Sequence, residues 1–106
     1  MCHCLDCQKR TGSVFGAQGR WPAAAVRVEG TATEWTRTAD SGNTITFRFC
    51  ATCGSTVHYT LGRLPDFLAV ALGAFADPTF PRPTIQVYGS RRHAWVGLPP
   101  EIEPLE

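Results

Sequence analysis

The sequence predicts a mainly β protein with antiparallel sheets and at most one short helix. Two runs carry this reading. Thr44-Ile45-Thr46-Phe47-Arg48-Phe49 alternates polar and apolar residues for its whole length, the period-two mark of a half-buried strand. Ser55-Thr56-Val57-His58-Tyr59-Thr60-Leu61 is rich in β-branched and aromatic residues, which suit a pleated surface. Turn residues between the runs, such as Asp40-Ser41-Gly42-Asn43, point to a meander.

Taken in chain order, the one helix is expected from Cys4 to Arg10, ahead of the breakers Gly12 and Gly16. Ala25–Glu29 and Thr33–Arg37 read as short strands divided by Gly30, followed by Thr44–Phe49 and Ser55–Leu61. Between these last two, Cys50-Ala51-Thr52-Cys53 falls at a hairpin turn with the outline of a zinc knuckle. Phe67–Leu72 is a continuous apolar run suited to a strand buried on both faces, with a helix as the alternative. Asp77–Pro83 carries three prolines, each without a donor and each restricting its predecessor, so it reads as a loop of fixed course. Thr84–Tyr88 alternates again, and the Pro- and Glu-bearing tail 98–106 is expected to be loosely held. The whole, 1–106, reads as a single zinc-binding domain.

Composition narrows the function classes. An apolar fraction of 43% suffices for a core, and a net charge of +1 gives no broad field to attract nucleic acid or an anionic membrane. No apolar run approaches the length of a bilayer span and no basic leader precedes the first cysteines, so the chain is expected to be cytoplasmic.

Five cysteines, three of them within Cys2–Cys7 and two in a CxxC pair, are unlike a disulfide framework and point to metal. In an extended segment Cys2 and Cys4 face one side while His3 faces the other, and Cys7 returns after a two-residue turn. Clustered thiolates repel one another unless a divalent cation neutralises them, and soft sulfur selects zinc, or less readily an iron–sulfur centre, over Mg²⁺ or Ca²⁺. Three ligands leave a fourth position open, the mark of a catalytic rather than a closed structural site. Such an electron-rich zinc suits a thiol partner better than water. Lys9, Arg10 and Arg20 are candidates to hold the carboxylates of such a thiol.

Cys50 and Cys53 have the spacing of half a structural zinc site. Two arrangements fit: one Cys₄ zinc ties both clusters together, or two zincs are bound and the residues that complete the Cys50/Cys53 site lie upstream of Met1. The expected cofactor is therefore one or two Zn²⁺ per chain. His3 and His58 read as ordinary strand residues rather than ligands.

Cys2-His3-Cys4-Leu5-Asp6-Cys7-Gln8-Lys9-Arg10-Thr11-Gly12-Ser13, followed by Phe49-Cys50-Ala51-Thr52-Cys53-Gly54-Ser55, resembles the glutathione-dependent formaldehyde-activating enzyme family, which also includes centromere protein V. The resemblance implies an Mss4-like β fold with two zincs. In that pattern Cys2, Cys4 and Cys7 hold the zinc that activates the glutathione thiol, and Cys50 and Cys53 form half of a structural site. It further implies a carbon–sulfur lyase, an S-(hydroxymethyl)glutathione synthase-like enzyme acting on a small thiol and a small aldehyde. The alternative is a non-catalytic zinc-binding interaction module.

The family's first strand and its CxCG motif do not precede Met1, so the chain reads as an N-terminally short member. Its structural site would be closed by upstream sequence, His58, water or a neighbouring subunit. An exposed sheet edge would favour a homodimer.

Overall fold

The computed structural model describes residues 1–105. Its elements run α1 (Leu5–Thr11), β1 (Gln18–Pro22), β2 (Thr33–Thr38), β3 (Thr44–Phe49), β4 (Thr56–Leu61), β5 (Leu64–Ala71), β6 (Ile85–Val87) and β7 (Glu103–Leu105), with short 3₁₀ turns at Ala23–Ala25, Leu72–Phe75 and Gly89–Arg91. The mainly β expectation holds. Contacts gather into two compact units, Gly19–Ala76 in one, and Met1–Gln18 with the chain from Asp77 onward in the other.

The five-stranded sheet has the order β1-β5-β4-β3-β2. β2 through β5 form an antiparallel meander, and its register places Trp35, Phe47, Tyr59 and Ala69 side by side across four strands. Three of these four are the core of the unit: Phe47 is 3% exposed and packs with Tyr59 and Ala69, with Ile45 and Leu61 at the margin, while Trp35 stays half exposed. Phe47 lies 4.9 Å from the Tyr59 ring and 5.7 Å from a stacked Trp35, centroid to centroid. Burying one such ring stabilises the sheet by about 1.5–3 kcal/mol. One register position away, Glu34, Arg48, His58 and Val70 form the corresponding row of the opposite face. There Arg48 pairs with Glu34 at 3.2 Å. Burial, with the charge of Arg48, holds His58 below its ordinary value and favours the neutral imidazole.

Two elements differ from the sequence reading. The expected strand at Ala25–Glu29 does not form: Ala23–Ala25 makes a 3₁₀ turn after Pro22, and among the described residues no strand pairs with those that follow. β1 takes an edge of the sheet instead. Its Gly19 and terminal Pro22 depress β propensity, yet an edge strand tolerates both because one side of its ladder is unused. Phe67–Leu72 resolves in favour of strand, with residues 67–71 inside β5, but not of one buried on both faces, since Phe67 is exposed and only Ala69 is buried; α1 lies within one residue of the expected helix.

In the other unit β6 and β7 pair in parallel, through the register Ile85↔Glu103 and Val87↔Leu105. Parallel neighbours need a crossover, and residues 88–102 supply it. The stretch 98–106, expected to be loosely held, thus carries a paired strand. Ile102 is 5% exposed, and an apolar anchor of this kind fixes a terminal segment that proline content alone would leave free. Met1–His3 lies along the other edge of β6: Val87 N donates to Met1 O (2.9 Å) and His3 N to Val87 O (3.1 Å).

Candidate metal centre

Cys2 stands between two backbone partners. It forms a parallel bridge with Val87 and an antiparallel bridge with Gly16, where Cys2 N donates to Gly16 O (2.8 Å) and Gly16 N to Cys2 O (2.9 Å). A short segment hydrogen-bonded on both edges has little freedom. The chain then turns into α1 at Cys4, the N-cap, whose Sγ accepts from Cys7 N at 3.3 Å. Cysteine here takes the place of the usual Ser, Thr or Asp cap. Gly12 ends the helix with φ +68, a left-handed cap that an L side chain would strain, and its N–H donates to Gln8 O.

Pinned strand and capped helix bring the three sulfurs together. The Sγ atoms of Cys2, Cys4 and Cys7 all lie within 4.8 Å of one another. Tetrahedral zinc with Zn–S bonds near 2.3 Å separates its sulfurs by about 3.8 Å, so the cluster would need closure by at most about 1 Å to hold the ion. All five cysteines are free thiols.

The electrostatics point the same way. The Cys2 thiol donates to Cys7, and this bond, aided by Cys4 and by the charge of Arg10, holds Cys7 down to about 6 against its burial. Cys2 is pushed up by the same bond and then by burial, and Cys4 is pushed up chiefly by burial. Three thiols that share protons in this way are the donor set that a divalent cation takes over by displacing those protons.

His3 is fully buried between the two ligand positions. Its Nε2 lies 3.0 Å from Gln86 Oε1, outside the sulfur cluster. Burial, and to a smaller degree the charge of Arg92, keeps the imidazole neutral. Gln8 joins three segments around it: Nε2 donates to His3 O (2.9 Å) and to Arg91 O (3.2 Å), and Oε1 lies 2.8 Å from His93 Nε2.

Arg10 stands beside Cys7, so of the expected substrate-binding cations it acts on the cluster itself. Lys9 is exposed in the last turn of α1, and Arg20 lies in β1, in the other unit. Gln8, His93 and the edge of β6 were not singled out as site residues, because partners more than 80 positions apart leave no local pattern, and Gly16 read only as a helix breaker.

Cys50 and Cys53 flank a tight turn in which Cys50 N donates to Ser55 O (2.9 Å) and Gly54 N to Cys50 O (2.7 Å), with Gly54 at φ +76. A hydrogen bond with the Ser55 hydroxyl (Sγ–Oγ 3.3 Å) holds Cys53 below its ordinary value, and Cys50 contributes in the same direction. Among the described residues of this unit no third ligand joins the pair, His58 included. The pair alone fills half of a tetrahedral site.

The sequence matches the model of the glutathione-dependent formaldehyde-activating enzyme family over residues 1–91, a span that contains both cysteine motifs. The chain belongs to this family. Membership supports glutathione-dependent formaldehyde activation, and the Cys2/Cys4/Cys7 group is a set of residues that could hold the metal. Comparison with curated proteins gives no match. Among the described residues no helix is long and apolar enough to cross a membrane.

Proposed function

We propose that this member of the family is a zinc-dependent carbon–sulfur lyase-type enzyme that joins a glutathione-like thiol to a small aldehyde such as formaldehyde. The observation that supports it most is the convergence of the Cys2, Cys4 and Cys7 sulfurs within 4.8 Å on a segment held at both edges. Cys2, Cys4 and Cys7 would hold the zinc, which would supply the charge that keeps a thiol ionised at neutral pH.

The protein's own groups do the rest. Cys2 and Cys4 are fixed by the Gly16 and Val87 pairings and by the helix cap, so the ligand set is preorganised. Arg10 offsets the excess negative charge of three thiolates at Cys7. In the reaction the thiol sulfur forms a bond to the carbonyl carbon. The carbonyl π pair moves to oxygen, which takes up the proton that the thiol gave away. Cys50 and Cys53 supply two ligands of a second, structural zinc in this reading.

The test is exchange spectroscopy of glutathione with ¹³C-formaldehyde, in the presence of zinc-loaded protein and of its Cys4→Ala variant. Adduct exchange accelerated by the wild type and returned to the buffer rate by Cys4→Ala is expected. Equal rates with wild type and with buffer, metal content confirmed, would overturn the proposal.

A further inference from the structure

The two outer strands of the five-stranded sheet are not equally protected. β1 carries Gly19 and ends on Pro22, which weaken and interrupt its outer ladder. β2 has neither glycine, proline nor lysine, and it pairs with β3 along its whole length without a bulge. Among the described residues no strand pairs with its outer side. A regular edge of this kind is a template for another strand.

The hydrogen bonds fix which groups that edge offers. Ala39 N donates to Asn43 O (2.8 Å) where β2 turns into β3, and Gly62 N donates to Thr44 O (2.8 Å) on the far side of β3. Alternation along an antiparallel ladder then turns the N–H and C=O of Thr33, Trp35 and Arg37 inward to β3, and those of Glu34, Thr36 and Thr38 outward. A second β2 related by a two-fold axis at Thr36 satisfies all three: Thr36 meets Thr36, and Glu34 of each copy meets Thr38 of the other. Sliding the pairing by two residues, the smallest step that keeps side chains on their own faces, leaves Glu34 or Thr38 without a partner inside the strand.

The side chains suit the same register. It sets Trp35 of each copy opposite Arg37 of the other, on the face of Phe47. Trp35 is stacked on Phe47 yet half exposed, and the Arg37 guanidinium lies on that face, 5.7 Å from the Phe47 ring centre. An indole and a guanidinium brought together there attract one another, and the pairing covers the open half of the Trp35 ring. On the opposite face Glu34 is held by Arg48 of its own chain at 3.2 Å and meets a threonine, so no like charges oppose.

From this register we infer that β2 is a self-association edge: two copies of the chain join into one continuous sheet by antiparallel β2–β2 pairing centred on Thr36. The inference stands apart from the chemistry proposed for the cysteines.

The test is sedimentation equilibrium of the zinc-loaded chain, together with backbone amide exchange by NMR at low and high concentration. A dimer with a dissociation constant on the order of 10 µM is expected, as suits a single edge pairing. The amides of Glu34, Thr36 and Thr38 exchange fast in the monomer and slow down as the dimer forms. Thr36→Pro removes an outward N–H but spares the ladder to β3, and is expected to weaken the dimer by about tenfold to a hundredfold with the urea midpoint of the monomer unchanged. Thr36→Lys and Thr36→Glu each set like charges across the axis and weaken it by about fivefold at low salt, whereas an equimolar mixture of the two pairs more tightly than either alone. The charged variants keep the test decisive where the proline variant fails to fold.

A chain that stays monomeric far above that concentration would overturn the inference. So would a dimer indifferent to the Thr36 substitutions, such as one held by zinc shared through Cys50 and Cys53, or exchange that slows only at other amides.

Discussion

In the proposed function zinc enters the Cys2/Cys4/Cys7 cluster by displacing protons, and the shifts of the three thiols determine how many. Cys7 is held down to about 6, so near neutrality it is already ionised, whereas Cys2 and Cys4 are pushed up and keep their protons. Binding then releases about two protons near neutrality and about three once the pH lies well below the Cys7 value. The sign follows directly: as pH falls, protons compete better and affinity drops. It drops about 100-fold per pH unit near neutrality and about 1000-fold per unit below the Cys7 range. From one unit above that value to one unit below it, the loss sums to about five orders of magnitude, or about 7 kcal/mol. The assay is calorimetric zinc titration in buffers of different ionisation heat, on Cys50→Ser/Cys53→Ser protein so that only this cluster binds. Release of one proton or none near neutrality would refute the reasoning, because it would mean that the three thiols are not the ligands or are already ionised.

Three other perturbations follow from the packing. Gln8→Ala removes three hydrogen bonds, two of them part-buried, and is expected to cost about 2 kcal/mol in urea unfolding of the zinc-free protein. A loss under about 0.5 kcal/mol would show that the amide holds nothing together. Phe47→Ala empties the centre of the Trp35–Phe47–Tyr59–Ala69 row and is expected to destabilise by about 3–5 kcal/mol, read by chemical denaturation; a surface-like effect would contradict that core. Gly16→Ala brings a methyl group to 3.2 Å from Arg10 Nη2 and 3.5 Å from Cys7 Cβ, which pushes the guanidinium away from the thiol. The alkylation pH profile of Cys7 in metal-free protein, followed site by site by mass spectrometry, is expected to shift upward. An unchanged profile would remove Arg10 from the site.

The strands of the meander were legible because their signal is local. Thr44–Phe49 and Ser55–Leu61 alternate or carry β-branched side chains within one window, and the structure places β3 and β4 there to within one residue. β1 and β7 were not legible, since Gly19, Pro22 and Pro104 argue against strand while edge pairing and the burial of Ile102 decide for it. Ala25–Glu29 shows the opposite failure, a run with good β propensity and no partner strand.

At the metal centre the same division holds. Ligand spacing fixes which thiols can meet, and Cys2, Cys4 and Cys7 do meet. What holds them still comes from Gly16, Val87 and the Gln8 contacts with residues 91–93. These are tertiary, and no window of sequence around the cysteines contains most of them.

Whether the cluster is an open, thiol-accepting site is tested most directly by counting sulfur ligands at the zinc by X-ray absorption, before and after glutathione is added, in Cys50→Ser/Cys53→Ser protein. Three sulfurs near 2.3 Å that become four with glutathione are expected. Four sulfurs before the thiol is added, or three that stay three when it is in excess, would contradict an open site at Cys2, Cys4 and Cys7.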